Sequence, residues 1–296
     1  MSSQIRCIGH GRMKSKGRLV SKAKELKIPI EWTKKAGDLQ LLTQKAISEG
    51  ATRIIVAGGD GSFLEAANVL RGTNIALGFV PGGTGNDLRR TLGTPENPVE
   101  ALRFAASGEV KKMDVGLARF ETPSGKDERI FLNIAEVGFG AEVVVRMNRV
   151  GRLAGSKLAY PLSILSCLLS YRRRPVELQW GNNKQKVSEL TNLVIANARY
   201  FGRGLQPAPK ASIEDGLLDI LVIEGLSAFK IATKFPSLKD GPPPGEPGMS
   251  EFQTPEIRVT GPSSVGVEAD GETLGHLPAS FTVLPNELAV IRNTRS

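Results

Sequence analysis

Ile54-Ile55-Val56-Ala57-Gly58-Gly59-Asp60-Gly61-Ser62 and Ile75-Ala76-Leu77-Gly78-Phe79-Val80-Pro81-Gly82-Gly83-Thr84-Gly85-Asn86-Asp87 are two versions of one pattern. An apolar, β-rich run ends in a glycine turn that carries an acid and leads into a helix-like segment. Bare glycine backbone at a helix N-terminus cradles phosphate, because its free N–H groups and the helix dipole face the anion. The acids Asp60 and Asp87 would repel that phosphate unless a metal ion or a hydroxyl proton lay between. The pairing therefore points to metal-assisted phosphoryl transfer. Other nucleotide signatures are absent: the chain has no GxxxxGK[ST], no GxGxxG after a strand, no GxSxG and no HExxH.

Upstream, residues 5–8 read as a strand. Ser15 to Lys27 reads as a helix with Leu19, Val20, Ala23 and Leu26 on one face, followed by an extended Ile28–Trp32. Asp38 is placed to cap a helix that runs to Glu49 and stops at Gly50. A helix is expected over Ser62–Leu70 and another after Asn86. Strand and helix alternate, which predicts a Rossmann-like parallel sheet with helices on both faces. In such sheets ligands bind beyond the carboxyl ends of the strands, where both glycine turns fall. After about residue 112 strand-like runs dominate: Met113–Phe120, Ile130–Val137, Val176–Trp180, Leu193–Ala198, Leu217–Glu224, Glu256–Thr260, Val265–Ala269 and Ser280–Leu284. Helices are expected near Ala141–Asn148 and Gly155–Tyr171. The expectation is α/β: a nucleotide-binding domain over 1–112, rejoined by 286–296, and a mostly antiparallel β-sandwich domain over 113–285.

The 296 residues are 40% hydrophobic, enough for a sizeable core, and the formal charge of +9 favours an anionic partner. Seven basic residues precede the first acid, Glu25, without the apolar core of a signal peptide. No aromatic interleaving or recognised motif suggests nucleic acid. Cys7 and Cys167 are isolated and give neither a disulfide framework nor metal spacing. The most lipophilic stretch, Leu158–Leu169, is too short to span a bilayer, which takes about 20 apolar residues. The expectation is a cytoplasmic protein, with peripheral contact at the inner membrane face through Arg149, Arg152, Lys157 and Arg172–Arg174.

GGDGS followed by PGGTGND resembles the catalytic domain of the diacylglycerol kinase superfamily. Asn197-Ala198-Arg199-Tyr200-Phe201-Gly202-Arg203-Gly204, Pro207–Ala211, Glu214–Asp219 and Asp270-Gly271-Glu272 resemble further motifs of that family, in its order. The resemblance implies a lipid kinase in which ATP, Mg²⁺ and a lipid hydroxyl meet in a cleft between two domains. Gly58, Gly59, Gly61, Ser62, Gly83, Gly85, Asn86 and Asp87 are the candidate nucleotide-binding residues. The resemblance adds Thr84 and Thr33 to them. Asp60 is the candidate for organising Mg²⁺, and Asp114 resembles a position in the same network. Either Asp270 or Glu272 is the implied general base; with Asp60 they form the candidate catalytic set. Asp215 is implied to hold a structural Mg²⁺ with main-chain carbonyls at Ser212 and Leu217. Two places depart from the family: Gly9-His10-Gly11-Arg12 replaces an Asn-Pro turn, and Arg203 replaces a glycine. Alternatives are a kinase of a soluble substrate such as NAD, and a non-catalytic nucleotide or lipid sensor. Whether the chain works alone or as a homodimer is left open.

Overall fold

The computed structural model describes residues 4–154, 163, 166–227, 230, 239–243 and 245–293, with the side chains of 148–154 left aside. It divides into two compact units: Met1–Val115 with Gly202–Gly204 and Pro285–Ser296, and Gly116–Phe201 with Leu205–Leu284.

The first unit contains β1 (Ile5–Gly9), α1 (Lys16–Glu25), β2 (Ile30–Trp32), α2 (Asp38–Ser48), β3 (Arg53–Gly58), α3 (Asp60–Leu70), β4 (Ala76–Pro81), α4 (Asp87–Leu92) and α5 (Pro98–Ser107). Its strands are parallel in the order β2-β1-β3-β4. Val290, near the end of the chain, pairs with Leu77 on the far side of β4. The alternation of β3 sorts its side chains. Ile55 and Ala57 face Leu19 and Ala23 of α1 and Ala101, Leu102 and Ala105 of α5. On the other face Phe63 of α3 meets Phe79 of β4 edge to face, centroids 5.2 Å apart. α2 packs against α3. Both faces of the sheet are therefore covered, as a parallel sheet requires. α5 starts where Asn97 accepts the N–H of Val99 at 2.9 Å, with Pro98 at the first helical position.

The second unit is built from β5 (Val110–Thr122, which enters from the first unit), β6 (Gly125–Phe131), β7 (Ile134–Gly138), α6 (Phe139–Ala154), β8 (Arg174–Trp180), β9 (Asn183–Ala196), β10 (Leu218–Glu224), β11 (Met249–Thr254), β12 (Glu256–Thr260), β13 (Gly266–Ala269) and β14 (Glu272–Ile291). One antiparallel run is β11-β10-β9-β7-β13-β14. A second path joins β9 to β14 through β8 and β12. The two long strands serve both paths: β9 pairs β8 with its first half and β7 with its second, and β14 pairs β13 near Glu272 and β12 near Phe281. Enclosed between the layers are Phe131, Leu178, Leu193, Val259 and Phe281, with Phe131 and Phe281 edge to face at 6.4 Å.

Several sequence expectations need adjusting. Ile130–Val137 is not one strand; it breaks between Phe131 and Ile134, where the N–H groups turn to a side-chain carboxylate described below. Ser280–Leu284 and Leu288–Ile291 are parts of one 20-residue strand. Two strands, β6 and β11, were not anticipated over most of their length; their exposed, polar residues carry no clear alternation. α3 begins at Asp60, not Ser62, and Gly37 rather than Asp38 caps α2. On α1, Val20 is exposed and Lys22 is buried in the place expected of an apolar residue, paired with Glu25. The helix expected over Gly155–Tyr171 lies largely outside the described residues.

Candidate functional site

In the first unit the two glycine turns touch. A methyl group on Gly83 would lie 2.6 Å from the Cα of Gly59, so a side chain at 83 would push the turns apart. Gly82 donates its N–H to the carbonyl of Gly58 at 2.7 Å. Asn86, at φ +50°, closes the second turn on itself: its Oδ1 accepts the N–H of Gly83 at 3.0 Å and its Nδ2 donates to the Gly83 carbonyl at 2.9 Å. Asp60 fastens the pair, its two oxygens accepting the N–H groups of Asp87 (3.1 Å) and Leu88 (3.2 Å) at the start of α4. Burial pushes the Asp60 carboxyl above the usual carboxylate range, and the charge of Asp87 adds to this; the backbone N–H groups oppose it. Both carboxylates flank Gly85.

Asp87 is buried and has two partners of its own. Arg90 Nη1 donates to its Oδ1 at 3.0 Å, and the Arg203 N–H donates to its Oδ2 at 2.9 Å. Arg90 also reaches the Gly85 carbonyl at 3.3 Å and lies against Gly204. The sequence reading passed over Arg90. Its signal was position: an Arg three residues after an Asp at a helix start is a standard i,i+3 pair. Thr33 accepts the Gly11 N–H at 3.1 Å and so braces the Gly9–Arg12 turn. Ser62 sits over Gly58. Gly61 and Thr84 are exposed. Asp114 is buried, and its Oδ1 accepts the Asn286 N–H at 2.8 Å.

In the second unit the two acids of the Asp270-Gly271-Glu272 turn are placed differently. Asp270, at φ +47°, aims its carboxylate at the break between β6 and β7. There it accepts the N–H groups of Leu132 (2.7 Å), Asn133 (3.0 Å) and Ile134 (3.1 Å). Glu272 is exposed, and its carboxylate makes no hydrogen bond or ion pair among the described residues. Asp215 is exposed and closes an Asx turn on the Leu217 N–H at 3.0 Å, beside the half-buried Asp219. Ser212 lies on the same loop. Of the basic residues expected to meet a membrane, Arg173 is tied to Glu189 at 2.7 Å and to the Gly225 carbonyl at 2.9 Å. Arg149, Arg152 and Lys157 lie outside what is described. Among the described residues no helix is long and apolar enough to cross a membrane.

Among the described residues no three His, Cys, Asp or Glu side chains gather as a metal cage. Asp60 and Asp87 nevertheless fit a Mg²⁺ ion. They are neighbouring carboxylates whose charges work against each other, and Mg²⁺ characteristically takes one or two carboxylates and completes its shell with water and phosphate oxygens.

Parallel-sheet glycine turns with paired acids in one unit and an unpaired glutamate on a tight turn of a β-sandwich in the other define a phosphotransferase-type arrangement. Residues 9–118 match the diacylglycerol kinase catalytic domain, and residues 133–292 match the YegS C-terminal NAD kinase beta sandwich-like domain. A diacylglycerol kinase of Mycobacterium tuberculosis is 33% identical over 87% of this chain and 82% of its own length. A protein of Chromohalobacter salexigens named "Probable lipid kinase YegS-like" is 29% identical over 93% of this chain and 86% of its own. Among solved structures, a diacylglycerol kinase from Bacillus anthracis superposes with a TM-score of 0.71 at 22% identity, covering 99% of this chain and 97% of that one. An NAD kinase from Archaeoglobus fulgidus in complex with ATP superposes at 0.56 and 13% identity, covering 98% and 94%. The chain belongs to the diacylglycerol kinase family and is a lipid kinase.

Proposed function

We propose that the protein transfers the γ-phosphate of ATP to the hydroxyl of a diacylglycerol-like lipid, with Mg²⁺. The observation that carries this reading is the unequal placement of the two acids at 270 and 272. One is a fully engaged backbone anchor, and the other is a carboxylate with nothing to do in the fold.

Gly59, Gly61 and Ser62 at the start of α3, with Gly83, Thr84 and Gly85, bind the phosphates through main-chain N–H groups and hydroxyls. Gly58 and Asn86 set the shape of the two turns, and Thr33 braces the neighbouring turn that faces the nucleotide. Asp60 and Asp87 hold Mg²⁺, which when bound neutralises charge on the phosphate oxygens. Asp114 orders the backbone at Asn286 and contributes to the same network from a buried position. Glu272 accepts the proton of the lipid hydroxyl as it attacks phosphorus. Asp270 holds the turn on which Glu272 stands. Asp215, with the carbonyls of Ser212 and Leu217, takes a second, structural Mg²⁺. The lipid is drawn from a membrane surface, which places the protein in the cytoplasm at the inner membrane face.

Radiolabelled ATP offered to the purified protein with diacylglycerol, other lipid alcohols and NAD tests the assignment. Label is expected in a lipid and absent from NAD. Label in NAD alone would show that the acceptor has been misread. Asp60→Asn should remove transfer to every acceptor.

A further inference from the structure

Directly behind the Asp270–Glu272 turn lie two glutamates that the proposed reaction does not use. Glu136 on β7 and Glu268 on β13 stand opposite each other in the strand register, 7% and 3% exposed. Their carboxyl groups are hydrogen-bonded to each other, and no ion pair compensates them among the described residues. Two carboxylates cannot bond to one another, so a hydrogen bond between them requires a proton.

The surroundings assign the roles. The Gly140 N–H donates to Asn192 Oδ1 at 3.0 Å, which turns the Asn192 amide nitrogen toward Glu136. That nitrogen donates to Glu136 Oε1 at 2.6 Å, so Glu136 is held as an acceptor. Gly140 has no room for a side chain against the Glu136 carboxyl, which keeps the start of α6 close over it. Glu268 Oε2 accepts the N–H of Gly271 at 3.0 Å, the central residue of the turn that carries Glu272. Glu268 therefore holds the proton, gives it to Glu136, and fixes Gly271 with its other oxygen.

We propose that Glu136 and Glu268 share one proton and are positioning residues, locking the Gly271 backbone so that Glu272 is presented in one orientation. This rests on the reading of Glu272 as the base. Burial raises both carboxyls, and the Glu136 charge raises Glu268 further. The other groups facing the pair are few. Asp270 adds a like charge that also raises Glu268. β9 presents the neutral Asn192 amide, and α6 turns Glu142 and Arg146 toward Cys167 and Tyr171. Glu272, across from Ala269, is exposed. Loss of the proton would put two charges face to face in a dry site and release Gly271.

Glu268→Gln is the neutral mimic: its amide donates to Glu136 and its carbonyl accepts from Gly271. Glu268→Ala removes both bonds. Three readouts separate the proposal from the reaction on which it rests. The first is infrared: a protonated-carboxyl band at neutral pH, expected in the wild type and lost in Glu268→Gln. The second is the melting temperature against pH. An acid whose folded pKa lies above its unfolded value, about 4.3 for Glu, gives its full stability below that value and loses it as pH rises through the folded one. The wild type should therefore lose stability over this range more steeply than Glu268→Gln. The third is turnover. Glu268→Ala should lose about ten- to a hundredfold in kcat with KM for ATP unchanged, from misplacement of the base. Glu268→Gln should recover most of it and hold it at alkaline pH, where the wild type declines. Identical infrared spectra and identical pH–stability slopes for wild type and Glu268→Gln overturn the shared proton. Equal loss of kcat in Glu268→Ala and Glu268→Gln overturns the positioning role. A chain that phosphorylates no lipid but shows the band and the slope retains the proton pair and loses only the assignment of the base.

Discussion

Asp270→Asn and Glu272→Gln differ by two positions and by one atom type, yet they should fail in opposite ways. The Asp270 carboxylate accepts three backbone N–H groups, from Leu132, Asn133 and Ile134. An asparagine oxygen can keep the two on Oδ1, but its amide group would then face the Leu132 N–H and leave that donor unsatisfied. A hydrogen bond to a charged group contributes about 1.5–3 kcal/mol, and the remaining two also weaken when the charge is gone. A loss of about 2–4 kcal/mol follows, or about 4–16 °C in melting temperature for a unit of this size. Backbone strain does not confuse the test, because Asn tolerates a positive φ as well as Asp. Glu272→Gln touches an exposed side chain without partners, so its stability should stay within about 0.5 kcal/mol. Its kcat should fall by about 10²–10⁴. Thermal unfolding by circular dichroism and lipid phosphorylation measured on the same two preparations check both halves. If Asp270→Asn melted with the wild type while losing as much turnover as Glu272→Gln, the division of labour between the two acids would be wrong.

Gly83→Ala should force the two glycine turns apart, destabilising the first unit by about 1–3 kcal/mol and weakening nucleotide binding; the ATP-induced shift in melting temperature measures the latter. Arg90→Ala leaves the Asp87 carboxylate buried without its cation and should cost about 1–3 kcal/mol, whereas Arg90→Lys should recover only part of it; chemical denaturation reads both. Cys7 lies in the core with its thiol pushed up to about 12 by burial. At pH 8 it therefore carries almost no thiolate, and iodoacetamide should label it only after unfolding, as mass spectrometry would show.

The parallel half was legible because its signals are local. Apolar runs, glycine turns and amphipathic helices each occur within a few residues, and β3, β4 and α3 follow from them directly. The β half was legible as a class but not in its joints. Nothing within Ile130–Val137 announces a break, since its cause, the Asp270 carboxylate, lies far along the chain. The same distance hid Glu268. In sequence it is an acid beside an acidic turn, and only the pairing of β7 with β13 places it against Glu136. Arg90 was missed although its cue was local, because the glycine turn before it drew the reading toward phosphate rather than toward what anchors Asp87.

The sharing of β9 and β14 between two hydrogen-bonded paths carries a consequence for the way the second unit opens. Neither layer can peel away while the other stays intact, because each long strand would have to break both sets of ladder bonds at once. Amide hydrogens along Leu190–Ala196 and near Phe281 should therefore be the last in this unit to exchange with deuterated solvent, and should do so together, as one cooperative block.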